Sequence, residues 1–344
     1  MRIVSLSQYK VCMNRGKMKA VWYESTGSAQ KVLQVGEMDI PEPKADEVLV
    51  RLYASGINPV DIKRRSGNYK GQGYTRIIPH DDGAGVIEAV GNGVDSNRIG
   101  ERVWVYNGRK DRAFGTAAEY IAISSKYAVS LPDNTSFTEG ACLGVPAMTA
   151  HRCLFQDGFL DGKTVLIQGG SGMVGQYAIQ LAKWGGATVI TTAGEDKKLE
   201  ITRQLGADYA INYKTEDVVE KVKEFTKNAG VDRIIEVELA TNIDTDYKAL
   251  KSSGVIAAYA SDAGDDMNIP FTPLVLKCST IHFVGVFFMP ESAHKSAIAD
   301  LTKCMEQGII KHPLCESFPF DKIVEAHQKS ESGETIGKNA IEIA

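Results

Sequence analysis

Residues 164–184 read TVLIQGGSGMVGQYAIQLAKW: a short apolar run, a glycine turn, then an amphipathic helix pattern. The turn, Gly170-Ser171-Gly172-Met173-Val174-Gly175, is a G-x-G-x-x-G string. Alone, such a string carries little information. Placed directly after a strand and at the start of a helix, it predicts a dinucleotide-binding unit. Its glycines permit a tight turn, let backbone approach a pyrophosphate and seat the helix on the strand. The helix N-terminus adds unpaired N–H groups and the positive end of its dipole. The ligand-free alternative is a Gly-rich strand-to-helix corner.

Downstream, ATVITTA (187–193), DYAINY (208–213), DRIIEVE (232–238), GVIAAYA (254–260) and TIHFVGVFF (280–288) are β-rich apolar runs. Most are separated by helix-length amphipathic segments such as DKKLEITRQLGA. Strands buried on both faces and alternating with helices predict an α/β, Rossmann-type, doubly wound sheet of six parallel strands. Upstream, from Met18 to about Ser125, short alternating runs broken by Gly, Pro and Asp predict a mostly β domain. A helical period covers Thr138 to Phe155. The tail holds two helix patterns, SAHKSAIADLTKCMEQG and DKIVEAHQKSES, and a strand-like NAIEIA.

The bulk numbers narrow the class. A chain of 344 residues is long enough for two domains. A formal net charge of −4 weighs against a general nucleic-acid binder. No run approaches the roughly 18 apolar residues of a membrane span. The six cysteines are scattered without a C-x-x-C pair, as expected of reduced thiols in a cytoplasmic setting. Residues 1–17 carry basic residues and no acid, which reads as a floppy extension or as a mitochondrial transit segment.

Cofactor choice rests on the end of the second strand of this unit. An NAD enzyme places an acid there to bind the ribose 2′-OH. This chain has Thr191-Thr192-Ala193-Gly194, followed by Glu195 and Asp196 and then Lys197 and Lys198. A small residue leaves room for a 2′-phosphate that a nearby ammonium can neutralise, so the pattern favours NADPH.

MKAVWYESTGSAQKVLQVGEM, PKADEVLVRLYASGINPVDIKRRSGNY, GVPAMTAHRCL, GGSGMVGQYAIQLAKWGGATVITTAG and QLGADYAINYKTEDV resemble the zeta-crystallin/quinone oxidoreductase branch of the medium-chain dehydrogenase/reductase superfamily. The resemblance runs from about Met18 to the end. It implies a GroES-like catalytic domain over 18–142, an NADPH-binding domain over 143–288 and a return to the catalytic domain over 289–344. In zinc enzymes of the superfamily, metal ligands occupy positions that here hold Asn58, Asp81 and Val145, so the resemblance implies a zinc-free enzyme. His80-Asp81-Asp82 is read as a loop cluster bonding its own turn rather than a metal site.

By the same resemblance, Asn58 faces the nicotinamide side of the cleft; the alternative is a turn-forming Asn before Pro59. Thr149 lies near the nicotinamide, or else bonds back to its own helix. Ser171, Gly172, Met173 and Val174 would bind the pyrophosphate, and Gly194, Lys198 and Tyr213 would surround the adenosine phosphate. Tyr259, Ala260 and Ser261, with Phe287, Phe288 and Met289, fall where strand ends line the cofactor. One departure matters: many quinone reductases of the branch carry a Tyr where this chain has Lys63, a residue that enone-reducing relatives share. Lys63 could donate to a carbonyl or enolate oxygen, or stay solvated. Tyr69 is a further phenol donor.

The implied activity is hydride delivery from NADPH to a quinone, with an enone or 2-alkenal reductase as the alternative. A reading of another class is an NADPH-binding crystallin-like or AU-rich RNA-binding protein, for which Lys63-Arg64-Arg65 gives footing. The run 280–288 is expected at a sheet edge, pairing with its two-fold mate in a homodimer, or within a tetramer.

Overall fold

The structure, a computed structural model, describes residues 16–69, 73–264 and 266–343. Residues 1–15 of the segment read as an extension or transit segment lie outside the described residues.

The first half is β-rich. An antiparallel pair, β1 (Lys17–Trp22) and β2 (Gln34–Asp39), flanks the short α1 (Ala29–Val32). Next come β3 (Glu47–Gly56), α2 (Pro59–Ser66), β4 (Asp82–Val90), β5 (Arg102–Val105), β6 (Tyr120–Ser124) and β7 (Ala128–Ser130). β3 pairs antiparallel with both β4 and β6, and its register slips twice against β4. Such bulges increase twist and help the sheet roll. Its alternate residues Val48, Val50 and Leu52 close on Ile87, Val103, Val105 and Ile121 in a separate small core.

The helical stretch expected over 138–155 forms as two pieces, α3 (Phe137–Gly140) and α4 (Gly144–Phe155). The break has a physical cause: Val145 N–H turns to the Asp82 carboxylate, 3.0 Å from each oxygen, instead of to a preceding turn.

The second half holds β8 (Thr164–Ile167), α5 (Met173–Trp184), β9 (Thr188–Ala193), α6 (Asp196–Gln204), β10 (Tyr209–Asn212) and α7 (Val218–Phe225). It continues through β11 (Val231–Glu236), α8 (Leu239–Ala249), β12 (Leu250–Ala258), α9 (Phe271–Leu276) and β13 (Thr280–Phe283). All six strands are parallel, in the spatial order β10-β9-β8-β11-β12-β13. The order reverses at β8, so a crevice opens at the strand ends beside the glycine turn.

The strand expected over 280–288 is shorter than its apolar run. β13 stops at Phe283, because Val284, Val286 and Met289 turn inward and join the main core. α10 (Glu291–Glu306) packs on α4 through Ala297, Leu301 and Cys304. The chain then rejoins the first sheet with β14 (Leu314–Pro319) and, after α11 (Ile323–Glu331), β15 (Lys338–Glu342), which pairs with β3. β14 has no clear alternation in LCESFP, and the sequence reading missed it. Among the described residues no helix is long and apolar enough to cross a membrane.

Candidate active site

The glycine turn forms the floor of the site. Gly172 caps the N-terminus of α5 with no side chain, leaving the first-turn N–H groups of a 12-residue helix for another acceptor. A Cβ on Gly175 would lie 2.5 Å from Gly169 O and 2.6 Å from Gly170 Cα, so only glycine lets α5 approach the turn this closely. Gly172 and Met173 border a cavity of about 350 Å³ whose opposite wall is Ile57, Asn58, Pro59 and Lys63 of the β-rich half. Lys338 and Asn339 of β15 also border it, with Ser330, Glu331, Thr335 and Gly337.

Asn58 is buried at the N-cap of α2, where the Asp61 carboxylate accepts from Asn58 N at 2.9 Å. Burial and the nearby Asp81 carboxylate push the Asp61 acid up to about 7. The Asn58 amide donates Nδ2–H to Asp82 Oδ2 at 2.8 Å, and its Oδ1 is buried with no partner. Asp82 also receives Lys338 Nζ at 2.5 Å, and neither of these two side chains reaches solvent.

His80-Asp81-Asp82 does not bond its own turn, contrary to the sequence reading. Asp81 pairs with Arg64 at 2.5 Å and accepts from Arg109 N at 2.9 Å; Asp82 reaches α2, α4 and β15; His80 contacts Ser55 and His327. All three residues are buried, so each must find partners on distant elements. At the positions of zinc ligands in the superfamily, Asn58 and Val145 bond Asp82, and Asp81 is held by Arg64. Among the described residues no group of three or more His, Cys, Asp or Glu is arranged to hold a metal.

The remaining expected residues distribute as follows. Lys63 lines the cavity and forms an ion pair with Asp262, in the loop after β12, so it ties one half of the molecule to the other. Thr149 donates its hydroxyl back to Val145 O at 2.6 Å, which leaves only its lone pairs free. Tyr69 is exposed and is not among the residues bordering the cavity. Tyr259, Ala260 and Ser261 line a second cavity of about 330 Å³ at the ends of β12 and β13, together with Val284 and Gly285. Phe287 lies under the Arg64 guanidinium, 4.9 Å from ring centroid to Cζ, and Met289 is buried. Phe288 is 85% exposed and touches neither cavity.

At the end of β9, Gly194 lies beside Tyr213 and Lys214, and Lys198 forms an ion pair with Glu195 at 3.0 Å. Hydrogen bonding and charge from Lys198, with Lys214 and Lys197 nearby, hold the Glu195 carboxyl below its usual range. The strand end is thus a cluster of ammonium groups around one acid. Lys214 was missed by sequence reasoning, although it adjoins Tyr213; Asp82 and Lys338 were missed as site residues because nothing local marks them.

These features fit a dinucleotide: an uncapped helix N-terminus behind a glycine turn, an ammonium cluster at the second strand end, and a cavity between the glycine turn and Asn58. Ser171 to Val174 would hold the pyrophosphate, Lys198 and Lys214 a 2′-phosphate, and Asn58 would border the nicotinamide end. Fold and site together define a two-domain pyridine-nucleotide oxidoreductase.

Comparison with known proteins agrees. Residues 44–133 match the alcohol dehydrogenase GroES-like domain, and residues 173–303 match the zinc-binding dehydrogenase domain. The chain is 31% identical over 312 residues to the quinone oxidoreductase of Homo sapiens, spanning 90% of this chain and 93% of that protein. It is 30% identical to the chloroplastic NADPH-dependent alkenal/one oxidoreductase of Arabidopsis thaliana, over 94% of this chain and 78% of that one. An alcohol dehydrogenase superfamily protein from Novosphingobium aromaticivorans superposes with a TM-score of 0.85 at 28% identity, covering 95% of this chain and 100% of the other. The chain belongs to the quinone oxidoreductase branch of the medium-chain dehydrogenase/reductase superfamily.

Proposed function

We propose that the protein is a zinc-independent, NADPH-dependent reductase acting on quinones or other activated carbonyls. The observation that carries this reading is the single cavity shared by the α5 N-terminus, Asn58 and Lys63. NADPH, when bound, supplies the hydride. The chain's own residues bind and orient: the first turn of α5 and the β9-end lysines take phosphates, and Asn58 and Lys63 line the acceptor side of the cavity. Substrates already activated toward hydride need no Lewis acid, and the ligand-position residues Asn58, Asp81 and Val145 are engaged by protein groups.

A second reading, reduction of an enone or 2-alkenal, is favoured by Lys63. Its ammonium borders the cavity and, once exchanged from Asp262, could donate to a carbonyl oxygen on which negative charge develops. Turnover of a panel of 1,4-quinones and α,β-unsaturated ketones and aldehydes under NADPH and NADH separates the two. Loss of enone but not quinone turnover in Lys63→Ala would favour the enone reading. No NADPH oxidation with any acceptor would remove both.

We further propose a homodimer through the β13 edge. Support comes from Phe283 of the edge strand β13, 68% exposed, and from Phe271 and Leu276 of the preceding α9, 75% and 79% exposed. The described cysteines carry no disulfide, which suits a reducing, cytoplasmic compartment.

A further inference from the structure

We infer that Glu236 and Asp246 share a single proton between Oε2 and Oδ2, and that this pair holds the glycine turn in place through Gln168 and Thr192. Both acids are positioning residues, and their effect on the cofactor rests on the reductase reading of the site.

Acidic side chains are almost never fully buried unless they are paired. Glu236 ends β11 and Asp246 lies within α8, yet both are closed to solvent. Among the described residues neither forms an ion pair with a lysine, arginine or histidine. They hydrogen-bond to each other instead, where α8 packs on β11. Two carboxylates in contact cannot both stay ionised away from water, and burial pushes both acids up.

The place of the proton follows from the partners of each oxygen. Glu236 Oε1 accepts from Glu238 N and from Asn242 Nδ2, the latter at 3.1 Å. Asp246 Oδ1 accepts from Gln168 Nε2 at 3.1 Å. These two oxygens are therefore bare acceptors. Glu236 Oε2 and Asp246 Oδ2 are buried, and no donor reaches either of them. One proton between them satisfies both. A proton on Asp246 Oδ1 would instead reverse the Gln168 amide and leave that pair of oxygens unsatisfied.

The order then passes to the turn. With its NH₂ given to Asp246, Gln168 presents Oε1 to the Thr192 hydroxyl, which donates to it at 2.8 Å. The Thr192 oxygen keeps its lone pairs for Gly169 N–H, 3.1 Å away. Gly169, at φ +67°, opens the turn, and its carbonyl accepts from Gly172 N at 3.0 Å. The acid pair thus anchors the first residue of the turn without touching the cofactor.

The test compares the wild type with Asp246→Asn, Glu236→Gln, Asp246→Ala, Thr192→Val and the double change Asp246→Ala/Thr192→Val. Infrared spectra at mildly alkaline pH read the C=O stretch of protonated carboxyl groups. The wild type should show a protonated group that is absent from both Asp246→Asn and Glu236→Gln, because an amide N–H replaces the shared proton and the remaining acid ionises. NADPH dissociation constants are measured by fluorescence titration, and hydrogen exchange over 164–175 by mass spectrometry. Asp246→Ala should weaken NADPH binding roughly tenfold and speed exchange in that segment, and Asp246→Asn should recover both to within about twofold of wild type. The double change should be no weaker than the worse single change. A carboxyl band unchanged in both amide variants, an Asp246→Ala variant with wild-type binding and exchange, no recovery in Asp246→Asn, or effects that multiply with Thr192→Val would each overturn the inference. Should Asp246→Ala fail to fold, Gln168→Met breaks the same chain nearer the turn and carries the same expected loss and the same comparison with Thr192→Val. A wild type that neither binds nor oxidises NADPH defeats the reductase reading instead, while the infrared band and the exchange still decide whether the pair shares a proton and holds the turn.

Discussion

His327 donates a hydrogen bond from Nε2 to Nε2 of His80 across 2.9 Å, and the direction follows from the chain behind it. Thr116 Oγ1 donates to the carbonyl of Asp82, so the Ser55 hydroxyl donates to Thr116 and accepts from His80 Nδ1–H. A neutral His80 then has only a lone pair at Nε2, so His327 carries a proton at Nε2. The leftover His327 Nδ1 is buried without a partner.

Both imidazoles are neutral in the folded protein at neutral pH because burial disfavours their charged forms. Burial, with Arg65 nearby, pushes His327 down to about 3, and burial and neighbouring positive groups push His80 well below the usual histidine range. Unfolded histidines titrate near 6.5. The stability these residues carry is therefore complete above pH about 6.5 and is lost as pH falls toward the folded values, because only the unfolded chain takes up the protons. Each contributes up to about 1.4 kcal/mol per pH unit in that window. Urea midpoints between pH 7 and 4.5 should fall accordingly, and His327→Gln should make the slope shallower by about one proton's worth.

Lys198→Ala should weaken NADPH binding by about 1–3 kcal/mol, the range for a lost charge-assisted hydrogen bond, and leave NADH nearly unchanged. Lys214→Ala should act in the same direction, since both ammonium groups face the end of β9. Equal losses for the two cofactors would remove the phosphate-binding role.

Exhaustive chelation followed by metal analysis should leave turnover and melting temperature unchanged. Stoichiometric zinc that leaves together with activity would contradict the engagement of Asn58, Asp81 and Val145 by protein partners.

The sheet edge is tested at Phe283 rather than at Val284. Val284 is buried in the main core, so a charge there would damage folding whatever the oligomeric state. Phe283→Lys or Leu276→Lys, both on exposed side chains, should release monomers in light scattering at micromolar concentration while leaving the melting of each subunit largely intact. A wild-type mass of one chain would remove the dimer.

Local chemistry determined much of this molecule. The glycine turn at 170–175, its strand and its helix are set within about 20 consecutive residues by steric demand and by period, and both are written along the chain. The five further strands were legible for the same reason. Tertiary structure alone decided where the apolar run 280–288 stops, because Val284 and Val286 gain more from the core than from extending an exposed edge. It alone also decided the polar heart of the site. Asp82 meets Lys338 across 256 positions of sequence, and His80 meets His327 across 247. A buried charge or imidazole must find a partner somewhere, but no periodicity says where, since the pairing is fixed by which strands and helices the two sheets bring together.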